Sequence, residues 1–209
     1  VIGSHSGFSP ASDGRSAQAF EDIAITRVLP NFTVIQPVDY NQTIKVIKEA
    51  SKIHGPFYIR LHREMLPNIT TQNTPFEIGK AYKFVQGQDV TVISSGPIIH
   101  NVLKAISNLK SKYKISCELI NVSTIKPLDT KTILESVKKT NKVVTIEEHQ
   151  IIGGLGSAVA ELLSEEFPTK LLRIGVNDEF GQTGEYQELL DLYKLSAGHL
   201  EQKIYKFIK

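Results

Sequence analysis

Val90-Thr91-Val92-Ile93-Ser94-Ser95-Gly96-Pro97-Ile98-Ile99-His100-Asn101-Val102-Leu103-Lys104-Ala105-Ile106 is the stretch that decides the fold class. Val90 to Ile93 is a short, β-branched run with no polar alternation beyond Thr91, as expected of a strand buried on both faces. Ser94 to Pro97 supplies turn residues. Ile99, Val102, Leu103, Ile106 and Leu109 then recur at the spacing of one helix face. Strand, glycine turn and amphipathic helix make one α/β unit, and the rest of the chain repeats it.

Toward the C-terminus the pattern predicts a strand over Ile115–Val122 and a helix over Thr130–Lys139 with Asp129 as its cap. A strand over Val143–Ile146 follows, then a helix within Gly153–Glu166 entered through glycines. A strand over Leu171–Val176 and helices over Glu185–Tyr193 and Gly198–Phe207 complete that side. Toward the N-terminus a strand at Val1–Ser4 leads into a polar loop, Ser6–Ser16. Then come a helix over Ala17–Val28 with Ala19, Ile23, Ala24 and Val28 on one face, and a strand over Phe32–Gln36. Asn41 is expected to cap a helix over Gln42–Ile53 that turns Ile44, Ile47 and Ala50 inward, and Phe57–Leu61 is a third strand. Asn68–Pro75 is polar and carries three threonines, which marks a linker. The expected architecture is α/β, mostly parallel sheets with flanking helices, in two units, 1–74 and 75–209.

Composition narrows the function classes. The 209 residues are 41% hydrophobic and 22% charged, enough for a packed core. The formal net charge of +2 argues against a nucleic-acid binder, whose domain is usually far more basic. Lysines do crowd Asn101–Lys142, but Tyr113 is the one aromatic residue there, so base stacking is poorly supplied. A single cysteine, Cys117, excludes a disulfide scaffold and a paired-cysteine metal or redox site. It fits a reducing compartment, and a cytoplasmic location is expected. No run of about 20 apolar residues is available for a membrane span. The chain opens on Val1-Ile2-Gly3 without a methionine or a signal-peptide pattern, and the expectation is a start inside a domain.

Chemistry concentrates in three places. The loop His5-Ser6-Gly7-Phe8-Ser9-Pro10-Ala11-Ser12-Asp13-Gly14 follows a strand, where ligands bind in α/β sheets. His5 can donate to an anionic oxygen and Asp13 can accept from a sugar hydroxyl; a plain turn is the competing reading. Arg60-Leu61-His62-Arg63 ends a strand with two guanidinium groups, suited to phosphate or to structural ion pairs. Gly153-Gly154-Leu155-Gly156 enters a helix and reads as a phosphate cradle or, better, as close backbone packing. The preceding Glu147-Glu148-His149 reads as a buried hydrogen-bonding or interface cluster, and Cys117 as a core thiol.

Taken in order, these segments resemble the transketolase family. Gly3-Ser4-His5-Ser6, Asp13-Gly14-Arg15-Ser16-Ala17-Gln18 and Glu21-Asp22-Ile23-Ala24 resemble the pyrimidine-domain motif. Arg27-Val28-Leu29-Pro30-Asn31, Pro37-Val38-Asp39 and Tyr58-Ile59-Arg60-Leu61-His62-Arg63 resemble the later segments of that domain. Thr124-Ile125-Lys126-Pro127-Leu128-Asp129, Glu147-Glu148-His149, Gly153-Gly154-Leu155-Gly156 and Phe180-Gly181-Gln182-Thr183-Gly184 resemble the C-terminal domain, the last of them as in transketolases split into two subunits. The resemblance implies part of a pyrimidine-binding domain over 1–74 and a transketolase C-terminal domain over 75–209.

It also implies transfer of a two-carbon ketol unit between phosphorylated sugars with thiamine diphosphate and Mg2+ or Ca2+. His5 then corresponds to a phosphosugar-contacting histidine, Asp13 to the aspartate that reads the 2-hydroxyl, and Arg63 to the arginine that grips the terminal phosphate. Ala17 stands where many members have His or Gln, so one donor is missing. The catalytic glutamate and the aromatics around the aminopyrimidine belong upstream of Val1, and the diphosphate–metal site belongs to another domain. The implied chain is therefore inactive and without cofactor by itself. It would work as a homodimer or with an N-terminal transketolase segment, with no nucleic acid and no membrane. Deoxyxylulose-phosphate synthase, the β subunit of a 2-oxoacid dehydrogenase, and a non-catalytic dimerisation domain are the alternatives. Arg63 disfavours the dehydrogenase, whose substrate has no phosphate, and Glu21-Asp22 with Phe180-Gly181 favours transketolase over the synthase.

Overall fold

The computed structural model describes all residues from Val1 to Lys209 as two sheets with helices packed on and between them. In chain order the elements are β1 (Ile2–Gly3), a 3-10 turn (Ala11–Asp13), α1 (Asp22–Arg27), β2 (Thr33–Ile35), α2 (Tyr40–Ala50) and β3 (Phe57–Arg60). They continue with β4 (Tyr82–Val85), β5 (Val90–Ser94), α3 (Ile99–Tyr113), β6 (Cys117–Asn121), β7 (Thr124–Lys126) and α4 (Thr130–Thr140). The last are β8 (Lys142–Gln150), α5 (Leu155–Glu166), β9 (Lys170–Val176), α6 (Tyr186–Leu192) and α7 (Ala197–Ile208).

The larger sheet has the order β4-β6-β5-β8-β9, parallel throughout except for β4, which runs antiparallel to β6. β5 and β6 are buried along their whole length, which explains the apolar Val90, Val92, Ile93, Leu119 and Ile120, although Glu118 and Asn121 of β6 are buried as well. The smaller sheet has the order β1-β3-β2-β7. β1, β3 and β2 are parallel, and β7 pairs antiparallel with β2, setting Val34 opposite Lys126 and Ile35 opposite Thr124. A strand from beyond the polar 68–75 segment thus completes the first unit's sheet.

The cores are shared in the same way. One apolar cluster joins Phe8, Phe20 and Val38 to Val92, Val102, Leu109, Ile174 and Ile204. A second joins Ile23, Val34 and Tyr58 to Ile93, Ile120, Val143 and Leu155.

Several boundaries differ from the sequence reading for identifiable reasons. α1 starts at Asp22, not Ala17. The Ala19 carbonyl is already committed to Gly7 N–H at 3.0 Å and to Arg60 Nη2 at 2.8 Å, which keeps this segment out of a helix. Val28 lies on the solvent side at 74% exposure. Asp39, not Asn41, caps α2, accepting from Gln42 N–H at 2.9 Å. Asp39 also accepts from Ile69 N–H, Thr70 N–H and Thr70 Oγ1, while Asn41 donates to the Thr70 carbonyl, so the 68–75 segment is tied to the start of α2. Burial works against the Asp39 charge, yet the bonds from Thr70 and Gln42 hold its carboxyl below the usual range. Within α2, Val46 is the buried aliphatic residue and Ile47 is exposed. No helix is long and apolar enough to cross a membrane.

Candidate active-site face

Residues 5–18 form the loop that carries two of the three expected binding residues, and apolar anchoring holds it. Phe8 is fully buried, with ring centroids 4.5 Å from Phe20 and 4.6 Å from Tyr193. Ser6 N–H donates to the Leu61 carbonyl at 3.0 Å, and Gly184 N–H to the Ala11 carbonyl at 3.3 Å. Gln18 Nε2 donates to the Gln182 carbonyl at 2.9 Å. The Phe180–Gly184 segment therefore lies against this loop.

The structure brings Asp13 and Arg63 together. Asp13 ends the 3-10 turn, Arg63 lies just past β3, and Arg63 Nη1 donates to Asp13 Oδ2 at 2.7 Å. Both side chains are about half exposed, at 47% and 48%. Such a pair is worth less than about 1 kcal/mol, so an anionic ligand can open or share it at small cost. His5 stands apart from them. It is exposed, its backbone has φ 65°, and its side-chain hydrogen bond is the 2.8 Å contact between Nδ1 and Ser4 Oγ. A cavity of about 490 Å3 opens beside Arg63, lined by Pro37, Asp39, Leu61, His62, Met65 and Pro97 among others.

Arg60 takes the structural role. It is 1% exposed, with Nε 2.7 Å from Asp22 Oδ2 and Nη2 on Asp22 Oδ1 and on the Ala19 and Glu148 carbonyls. Tyr58 OH donates to the same Asp22 carboxylate at 2.6 Å. Burial opposes the Asp22 charge, but Arg60 and Tyr58 hold its carboxyl below the ordinary range.

The glycine-rich start of α5 already holds a carboxyl group of the protein itself. Glu147 accepts from Leu155 N–H at 2.7 Å and Gly156 N–H at 2.8 Å, filling the place a phosphate takes at a helix N-terminus. A Cβ on Gly154 would lie 2.0 Å from Glu147 Oε2, so these glycines admit a carboxylate and leave no room beside it. Of the two sequence readings, close packing is the one observed. His149 Nδ1 bonds the Gln150 carbonyl at 2.7 Å while Nε2 faces Ala24 N–H at 3.4 Å, a pattern that fits a neutral ring. Burial moves its pKa down to about 4. Cys117 is buried, and its thiol is pushed up to about 12, as a core thiol should be.

Three links escape the sequence reading: Asp22–Arg60, Glu148 with Phe8 and Tyr186, and Arg27–Glu161. In the last, Arg27 spans both carboxylate oxygens at 2.8 and 2.6 Å. Their partners lie 38 to 140 residues apart, where no local spacing rule reaches.

This order of elements and motifs matches two family models, the transketolase pyrimidine binding domain over residues 1–68 and the transketolase C-terminal domain over residues 79–200. The chain belongs to the transketolase family. A protein of Methanocaldococcus jannaschii named for a transketolase C-terminal section is 41% identical across the whole chain, which covers 66% of that relative. The 6-deoxy-6-sulfo-D-fructose transketolase subunit SqwH of Clostridium sp. is 38% identical over 94% of the chain and 61% of its own length. A solved structure described as a split-gene transketolase, an inactive beta4 tetramer, superimposes with a TM-score of 0.91 at 40% identity, over 99% of this chain and 66% of that one. Campylobacter jejuni transketolase shares the fold, with a TM-score of 0.76 at 20% identity over 98% of this chain and 31% of its own. The chain thus spans about two thirds or less of these transketolases.

A site for a diphosphate and its metal does not fit the residues present. No three His, Cys, Asp or Glu side chains converge on a metal position, and the one glycine-rich helix start is filled by Glu147.

Proposed function

We propose that this chain is the C-terminal portion of a transketolase that transfers a two-carbon ketol unit from a phosphorylated ketose to an aldose. In this reading a further segment or subunit supplies the diphosphate–metal site and the glutamate that serves the aminopyrimidine, and the chain alone is inactive. A cytoplasmic location goes with it. The observation that carries the reading is the Asp13–Arg63 pair, an exposed carboxylate and guanidinium at 2.7 Å beside an open cavity.

This chain's residues bind and orient the sugar. Arg63 has one nitrogen on Asp13, and its planar fork leaves donors for the tetrahedral oxyanion at the far end of the sugar. Asp13 accepts from the 2-hydroxyl, fixing the configuration of that carbon. His5 is exposed beside the loop and donates to a further sugar oxygen. Ala17 offers no donor where relatives of the family carry one, so recognition rests on these three groups. Among the relatives, one name specifies a sulfonated sugar and another apulose-4-phosphate. Both ligands end in an anionic tetrahedral group, which suits the Arg63 fork.

The test is kcat/KM of the completed enzyme for a phosphorylated aldose, its sulfonated isostere and its dephosphorylated analogue, in wild type and Arg63→Ala. A selective loss for the anionic acceptors supports the reading. An equal loss for all three shows that Arg63 supports structure only.

A further inference from the structure

Glu148 belongs to the C-terminal unit, but its side chain serves the loops of the first. It lies on β8 at 3% exposure. Oε1 accepts from Phe8 N–H at 2.6 Å, in the loop that carries His5 and Asp13. Oε2 accepts from Tyr186 OH at 2.8 Å, on α6. His62, adjacent to Arg63, places Nε2 3.9 Å from Oε1, and its ring stands edge-on to Tyr186 with centroids 5.2 Å apart. Gly7 has φ 56°, and a Cβ there would sit 2.4 Å from Oε1, so the loop reaches this carboxylate only because position 7 is glycine.

We propose that Glu148 is a positioning residue, a carboxylate of the C-terminal unit that holds the Phe8 loop and the His62–Arg63 turn in the single arrangement in which Asp13 and Arg63 meet. The proposal rests on the substrate roles given above for those two residues.

One polar atom of the cluster is orphaned. His62 Nδ1 is turned toward the Glu64 carbonyl at 3.4 Å, which puts its proton there, and the buried Nε2 has no partner. The charges around Glu148 are Arg60, whose Nη2 lies 3.2 Å from the Glu148 carbonyl, and Glu64, with His62 and Tyr186 as the other titratable neighbours. Burial raises the Glu148 carboxyl to about 7 and lowers His62 to about 4.

The experiment compares wild type, Glu148→Gln and Tyr186→Phe in the reconstituted complex, with a phosphorylated aldose as acceptor. Glu148→Gln should raise the acceptor KM about tenfold while kcat stays within about twofold, as loss of positioning requires. Hydrogen exchange of peptides covering residues 5–13 and 61–65 should speed up, with protection elsewhere unchanged. Tyr186→Phe should move KM and exchange the same way by a smaller factor. Wild-type KM and wild-type exchange in a folded Glu148→Gln overturn the proposal. If that variant fails to fold, an unchanged KM and unchanged loop exchange in Tyr186→Phe overturn it instead. An inactive wild-type complex would count against the functional reading alone, because the exchange measurement decides on Glu148 without turnover.

Discussion

The Asp13 carboxylate and the Arg63 guanidinium meet at 2.7 Å although 50 residues separate them. One residue ends the 3-10 turn of the first loop and the other follows β3, so their meeting depends on both loops being seated.

Arg63→Ala should therefore cost roughly 1.5–3 kcal/mol, or about 10- to 150-fold, in kcat/KM for a phosphorylated acceptor. The dephosphorylated analogue should be nearly unaffected. Asp13→Ala should instead relax the preference at the 2-hydroxyl for both acceptors. Steady-state kinetics with epimeric acceptor pairs separates the two effects.

Asp22→Ala leaves Arg60, at 1% exposure, without its ion-pair partner in the interior. Removing one member of a buried pair costs about 3–5 kcal/mol. Tyr58→Phe removes one hydrogen bond to the same carboxylate and should cost about 1 kcal/mol. Urea unfolding of the three proteins orders them, and equal midpoints for wild type and Asp22→Ala would contradict the buried-pair account.

The buried acids and histidines oppose one another in pH. Burial lifts Glu147 and Glu148 from 4.5 to about 7, so the stability they contribute is complete below 4.5 and is lost as pH rises toward 7. Burial lowers His62 and His149 from 6.5 to about 4, so their contribution is lost as pH falls from 6.5 toward 4. The two trends offset, and wild-type stability should change little across that range. Glu147→Gln removes one falling contribution. Its unfolding midpoint should rise with pH relative to wild type between about 4.5 and 6.5, by more than about 1 kcal/mol in free energy. A parallel pH profile for both proteins would refute the offset.

Gly154→Ala and Gly198→Ala should act in opposite directions. A Cβ at 154 would press into Glu147 Oε2 at 2.0 Å and His149 Nδ1 at 2.7 Å, so Gly154→Ala should lower Tm. A Cβ at 198 meets nothing within 4 Å at the start of α7, and alanine there should stabilise by up to about 1 kcal/mol. Calorimetry of the pair tests both signs at once.

The alternation from Val90 onward is readable because the buried parallel strands are rich in β-branched and aliphatic residues, and the helices between them keep a clean stripe. Asp129 is recognisable as a cap, and it accepts from Thr132 N–H at 3.1 Å. β7 is not readable. It has three residues, ends just before Pro127, and pairs with a strand some ninety positions away. α1 reads too long because Ala19 and Phe20 look helical until Gly7 and Arg60 claim the Ala19 carbonyl. For the candidate site, residue type and position mark the 5–14 loop and the 60–63 segment, and it is the resemblance of their motifs that singles out His5, Asp13 and Arg63. Glu147-Glu148-His149 is readable as a buried hydrogen-bonding cluster, and it is one, but the partners of Glu148 are not, since each comes from a different stretch of chain.

β7 has a consequence for modularity. Two family models meet between residues 68 and 79, which suggests two interchangeable parts. Yet one part lends the other a strand, and both apolar clusters draw residues from each. A cut at that seam would bare the edge of β2 and strip both clusters, leaving halves prone to stick to each other or to strangers. The two matched domains of this chain therefore make one unit of folding.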